Sequence, residues 1–283
     1  MSTTFPRTTV AGVSLPRLII GTNWILGFSH RTPAADSLIQ HSHGSVESIS
    51  SLLEVFLDAG VDAIMGLFAG RPLVTDAIKR AEDRTGRRMI IIDTPGINVD
   101  DNPAARQEAE KTIAESRRAG ASFCFPHHFS AEQLVNKNRQ TITRLPDYLQ
   151  MIRAQGMIPG LSCHMPEMIV YADQNGYDVE TYNQIYNCAG FLMQVEVEYI
   201  HKVIWSARKP VMTIKPMAAG RLTPFVGLSF VWNTIRPCDM VTVGCLTPQE
   251  AAEDIEISLA ALERRPPALE GRSSPSKSAI MKD

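Results

Sequence analysis

The chain has 283 residues, 44% of them hydrophobic and 20% charged, with a formal net charge of −2 and a pI near 6.4. Its basic residues are scattered rather than gathered into a stripe, which argues against a nucleic acid or an anionic membrane surface as partner. No window reaches the ~18 uninterrupted apolar residues of a membrane span, and Met1–Arg17 lacks the apolar core of a signal peptide. The five cysteines are dispersed without CxxC spacing, so a reduced, cytoplasmic globular protein is expected.

Leu15–Trp24 is β-rich and ends in Gly21-Thr22-Asn23, which predicts a first strand opening into a loop. That loop runs to Gly44, longer than the ~12–15 residues usual in a compact domain, and its polar content fits a lid. Ser45–Ala59 carries Ile49, Leu52, Leu53, Phe56 and Leu57 at helical spacing and stops at Gly60. Val61–Leu67 predicts a second strand, 73–85 a second helix, and Met89–Asp93 a buried parallel strand whose apolar run ends in a carboxylate. Pro103–Ala119 is a charged amphipathic helix closed by Gly120, and Ala121–Phe129 is a fourth strand running into Pro126-His127-His128. Met157–His164, Tyr177–Asn187, Pro210–Ala219 and Asp239–Cys245 supply strands five to eight. Helices over Pro166–Asn175, Phe191–Ala207, Pro224–Ile235 and Thr247–Glu263 follow them in turn. No GxGxxG or GxxxxGK[ST] turn follows any strand. The pattern therefore predicts an α/β fold, a single (β/α)8 TIM barrel over 1–265 rather than a doubly wound sheet. Residues 266–283 form a polar tail, expected to be disordered or peripheral.

Three stretches carry a family resemblance. Lys209–Pro224 (KPVMTIKPMAAGRLTP) resembles the aldo-keto reductase segment leading through strand seven, and Asp239–Glu253 (DMVTVGCLTPQEAAE) resembles that family's eighth strand and following helix start. Arg153–His164 (RAQGMIPGLSCH) is similar to its passage into strand five. The Gly27-Phe28-Ser29-His30 turn resembles one in a set of bacterial reductase-like barrels, which implies a distinct subgroup. The resemblance implies the barrel fold, and a cofactor phosphate at the helix start near Gly244 and Thr247. It also implies a catalytic Tyr, Lys, Asp and His, and here the pattern departs. Ile64–Gly70 has neither Asp nor Tyr, and the strand-three Lys position is matched to Asp93. Only the strand-four His has a counterpart, His127 or His128.

Active groups of such barrels sit at the C-terminal ends of strands. The strand ends supply Asp93, His127, His128 and His164, which lie on neighbouring strands about 4.8 Å apart. A divalent metal (Zn, Mn or Fe) held by Asp93, His128 and His164 is one reading; direct acid/base or substrate contact by the same groups is another. Strand alternation lets only one of His127 and His128 face inward. Lys215 inside an apolar strand is costly unless neutral or paired, which makes it an assisting catalytic group, an anion contact or a Schiff-base nucleophile. Asn23, His30, Asn183, Tyr186 and Arg221 are candidate substrate contacts, and Gly244 and Thr247 candidate cofactor contacts, although Thr247 also reads as a simple helix cap. Without the tetrad, the expected function is metal-assisted or acid/base proton transfer on a small polar hydroxy or carbonyl compound, as in a lyase, isomerase or hydrolase. The alternatives are an NADPH-dependent oxidoreductase with a rearranged proton donor such as Tyr186, and a non-catalytic small-molecule-binding barrel. A homo-oligomer is compatible with all three.

Overall fold

The computed structural model describes residues 4–269. The chain opens with a hairpin ahead of the expected first strand: β1 (Arg7–Val10) and β2 (Val13–Pro16) pair antiparallel around Ala11 and Gly12. Both turn residues have positive φ (49° and 81°), the geometry that lets a two-residue loop follow the natural twist of the strands. Val10 and Leu15 pack with Ile19, Met65, Ile92 and Phe123 in the barrel interior, so the hairpin plugs one end of it.

The barrel follows. β3 (Leu18–Gly21) leads into the long first loop, which is not structureless: it holds α1 (Asn23–Leu26) and α2 (Pro33–Ser42) before α3 (Val46–Asp58). Then come β4 (Ala63–Gly66), α4 (Pro72–Thr85), β5 (Ile90–Asp93), α5 (Pro103–Arg118), β6 (Ala121–Cys124) and the short α6 (His128–Ala131). A small antiparallel pair, β7 (Val135–Asn136) and β8 (Thr141–Ile142), precedes α7 (Leu145–Ala154). β9 (Ile158–Pro159), β10 (Leu161–Cys163), α8 (Glu167–Asn175), β11 (Tyr182–Ile185) and α9 (Val197–Ser206) continue the alternation. β12 (Val211–Ile214), α10 (Pro224–Thr234), β13 (Met240–Val243) and α11 (Pro248–Glu263) complete it. Helix starts follow local chemistry: the side chains of Thr32, Ser45, Asn102 and Thr247 each accept a backbone N–H three residues on, satisfying one of the free donors of the first turn.

Nine parallel strands hydrogen-bond in the order β10-β11-β12-β13-β3-β4-β5-β6-β9. The two ends of that order, β9 and β10, are one extended segment interrupted at Gly160, so the sheet closes on itself through a single glycine. The reason is steric. A Cβ on Gly160 would lie 2.1 Å from the ring of Phe125, which is fully buried in the interior cluster. Gly160→Ala is therefore expected to lower stability by about 1–3 kcal/mol, the usual cost of overpacking a filled core. A fall in the urea midpoint without a change in slope checks this.

Side chains alternate across the barrel wall as period-two strands require. Ile19, Met65, Ile92, Phe123, Met212 and Met240 point in, while Leu18, Ile64, Cys124, Leu161, Val211 and Val241 point out and pack under the helices. The expected sixth helix starts later than its apolar pattern suggested, at Val197. Asn187 holds residues 187–191 as a turn by accepting from Phe191 N (2.9 Å) and donating to Phe191 O (3.1 Å). Of the predicted tail, 266–269 lie back on α11, where the Ala268 amide donates to Glu256 Oε1 and Leu269 packs against the core. Residues 270–283 fall outside the described residues. Among the described residues, no helix is long and apolar enough to cross a membrane.

Candidate active site

The polar groups gather where β6, β10, β12 and the first loop meet at the barrel mouth. β6 ends at Cys124, and the chain turns at Pro126 so that His127 caps α6 and His128 begins it. Strand alternation no longer governs the pair, and both rings join one cluster. Their centroids are 4.3 Å apart, and the His128 ring lies flat on that of His164 at 3.5 Å and 18°. His127 Nδ1 accepts the Phe129 amide at 3.5 Å, which leaves the proton of the neutral ring on Nε2.

Glu132 was not among the expected site residues, yet it organises this corner. Its Oε1 accepts the backbone amides of His164 (2.7 Å) and Met165 (2.9 Å), and its Oε2 stands 3.8 Å from His128 Nδ1. The i,i+4 spacing of His128 and Glu132 was the available signal, since such pairs share a helix face. His128, Glu132 and His164 present ligand-type atoms within 4.8 Å of one another, but the carboxylate is already engaged with backbone amides. Glu132→Ala is expected to free the His164 and Met165 amides and to loosen the turn after β10. Faster amide hydrogen exchange at both positions is the readout.

From the first loop comes His30, at φ 55°, with Nε2 3.1 Å from the Asn23 amide nitrogen. Asp36 steadies that loop by accepting both the amide (2.7 Å) and hydroxyl (2.6 Å) of Ser29. Lys215 closes the set from the end of β12. Its φ is 60°, a strained backbone for a side chain of this size. Burial lowers its pKa to about 8. Burial, with the Lys215 charge and neighbouring rings adding to it, also lowers His127 to about 4 and His164 to about 2. Burial and then Lys215 push His30 down as well. At neutral pH the His127, His164 and His30 imidazoles are uncharged, and the amine carries the mobile proton.

Several expected residues lie elsewhere. Asp93 is fully buried but on the outer side of β5, because Ile92 takes the interior position. Burial raises its pKa; the Ser116 hydroxyl and the Phe68 amide (3.2 Å from Oδ1) oppose that rise. Asp93 therefore cannot join His128 and His164 around one ion, and the metal centre expected from these three does not form. Tyr186 faces the helical layer, with its ring 5.2 Å from that of Phe230 and its phenol against Thr234. It is not a proton donor at the mouth. Asn183 sits deeper in the barrel, where its Oδ1 accepts from Ser162 Oγ (3.1 Å) and Cys163 N (3.0 Å).

Trp24 leans on Gly244, where a Cβ would meet its ring at 3.0 Å. Thr247 caps α11 by accepting the Glu250 amide (3.1 Å), and the Glu250 carboxylate accepts the Leu246 amide (2.7 Å). A carboxylate at that helix start opposes a phosphate. Positive charge gathers instead beside the turn after β12. Arg221 lies over the Phe191 ring at 4.0 Å and donates to Ala218 O, and Arg31 reaches to 3.6 Å from where a Gly220 Cβ would be.

No protein-family model matches the chain, and no curated protein does. Solved structures do. A Pseudomonas aeruginosa protein assigned as an aldo-keto reductase superposes with a TM-score of 0.65 at 17% identity, covering 92% of this chain and 97% of its own. An aldo-keto reductase from Klebsiella pneumoniae in complex with NADPH gives 0.57 at 15% identity over 95% and 99% of the two chains. Aldose reductase from Giardia lamblia gives 0.51 at 13% identity over 94% and 90%. The expectation of a divalent metal as cofactor is corrected on this ground too, since the cofactors named for the similar Klebsiella structures are NADPH and NADP. The chain has the aldo-keto reductase type of TIM barrel.

Proposed function

We propose that the protein is a nicotinamide-dependent oxidoreductase that reduces a carbonyl group at the barrel mouth, with Lys215 as proton donor. This replaces the expected lyase, isomerase or hydrolase chemistry, because solved structures that share this fold over more than nine-tenths of the chain include aldo-keto reductases. One observation carries the reading: an ammonium that stands half-buried among neutral imidazoles where a barrel of this type does its chemistry.

Two guanidinium groups beside the turn after β12, Arg31 and Arg221, support a dinucleotide lying along that turn. Arg31 and Arg221 would hold its phosphates there, rather than the start of α11, where Glu250 sits. A reduced nicotinamide supplies hydride to a carbonyl carbon. The chain must then supply a proton to the carbonyl oxygen and hold that oxygen in place. His127 Nε2–H is the orienting donor, since its Nδ1 is occupied by the Phe129 amide. Lys215 Nζ gives up the proton as negative charge builds on oxygen, and it regains one from solvent at the mouth. The His128–His164 stack, pinned by Glu132, walls this corner.

Titration of NADPH and NADH against the protein, followed by tryptophan fluorescence and then by loss of nicotinamide absorbance with a panel of aldehydes and ketones, tests the reading. Saturable binding with carbonyl-dependent oxidation is expected. Absence of binding by either nucleotide overturns it.

A further inference from the structure

Among the described residues, Lys215 offers donors and His127, His164 and His30 offer uncharged rings at the mouth, while the carboxylates of Glu132, Asp36 and Asp93 are committed elsewhere. The His127 and His164 rings both lie against that of His128, His30 comes from the first loop, and the Lys215 amine just past β12 stands close enough for its charge to act on His127, His164 and His30. Glu132 serves two backbone amides and His128. Asp36 serves Ser29, and Asp93 is behind β5. Lys215 makes no ion pair among the described residues, and a half-buried ammonium in that state is costly unless a ligand brings the opposite charge.

We infer that the substrate is a 2-oxo carboxylate, whose carboxylate pairs with Lys215 and faces His164 while its ketone oxygen meets Lys215 and His127. The inference rests on the oxidoreductase reading and adds its substrate class. Reach favours it. In a 2-oxo acid the ketone oxygen and one carboxylate oxygen lie side by side, so one ammonium with three N–H donors contacts both. A neutral aldehyde or ketone offers only one of those contacts. In the step itself, hydride adds to C2 and the π bond to oxygen breaks. That oxygen takes a proton from Lys215 Nζ, and a 2-hydroxy carboxylate leaves as the nicotinamide is oxidised.

Calorimetric titration with oxamate, a non-reducible mimic of a 2-oxo acid, and with neutral oxamide separates the possibilities. Both are titrated against the whole protein, alone and saturated with NADP. Oxamate is expected to bind about ten-fold or more tightly than oxamide, the difference one charge-assisted contact makes. Lys215→Met is expected to abolish that preference, and Lys215→Arg to retain part of it. Equal binding of the two probes to the wild-type protein, or no binding of oxamate in either state, overturns the inference. If NADPH still reduces neutral ketones in that case, the oxidoreductase reading stands alone. If oxamate is preferred but no nucleotide is oxidised with pyruvate, the anion site stands and the hydride step fails.

Discussion

Lys215→Met is expected to lower carbonyl reduction by roughly 10²–10⁴-fold, the range over which a positioned general acid contributes. The loss should appear in kcat, with NADPH affinity little changed, because the proton is needed in the transition state and not for nucleotide binding. The pH profile gives the more specific signature. Burial lowers the amine from 10.5 to about 8, and the acid form is the one that donates. Reduction should therefore be full below pH 8 and fall as pH rises through it, while oxidation of the product alcohol shows the opposite slope. The facing groups do not confuse this limb. His127 and His164 titrate near 4 and 2, His30 lies below its ordinary 6.5, and Glu132 is lowered by His128 and the two amides it accepts, against its own burial. Those groups titrate on the acid side. A basic limb that persists unchanged in the Met variant would show that the proton comes from elsewhere.

The barrel was legible because period-two apolar runs and helix-closing glycines recur along the whole chain, and each is a local signal. Gly60, Gly86 and Gly176 all sit at positive φ just past a helix or its cap. The site was only partly legible. His127, His128, His164, Lys215 and His30 do meet at the mouth, as strand-end reasoning suggested, but Asp93 and Tyr186 do not. Both errors come from one source. Where a strand ends decides which face its last residue takes, and strand ends are poorly marked in sequence. Asp93 is the last residue of β5, so alternation still places it outside. His128 is four residues past the end of β6, where the chain has left the strand and alternation does not apply. Glu132 was invisible for a different reason. Its partners are backbone amides of residues more than thirty positions away, and no pattern in sequence announces a backbone partner.

The second large effect lies in a buried ion pair between β12 and β13. Asp239 is completely buried, and its carboxylate takes Arg236 Nε (2.9 Å) and Nη2 (2.7 Å) in a two-point contact. It also accepts the amides of Val211 (2.8 Å) and Arg236 (2.9 Å). Arg236 in turn donates to the carbonyls of Ala207 and Lys209, and Arg17 donates to those of Asp239 and Arg236. This knot ties the end of α10 to the starts of β12 and β13. Asp239→Ala removes the carboxylate that Arg236 grips at two points and leaves the Val211 amide and a half-buried guanidinium short of partners. Breaking such a pair costs about 3–5 kcal/mol, a large part of the roughly 5–15 kcal/mol that holds a domain folded. The variant should therefore unfold at a much lower urea concentration than the wild type. Asp239→Asn should fall between them, because its amide oxygen still accepts one backbone N–H while the charge is gone. The double variant Asp239→Asn, Arg236→Met discriminates pairing from general packing loss. If the two changes act on one interaction, the pair costs less than the sum of the singles. Strictly additive losses would mean that each side chain is held by its backbone partners alone.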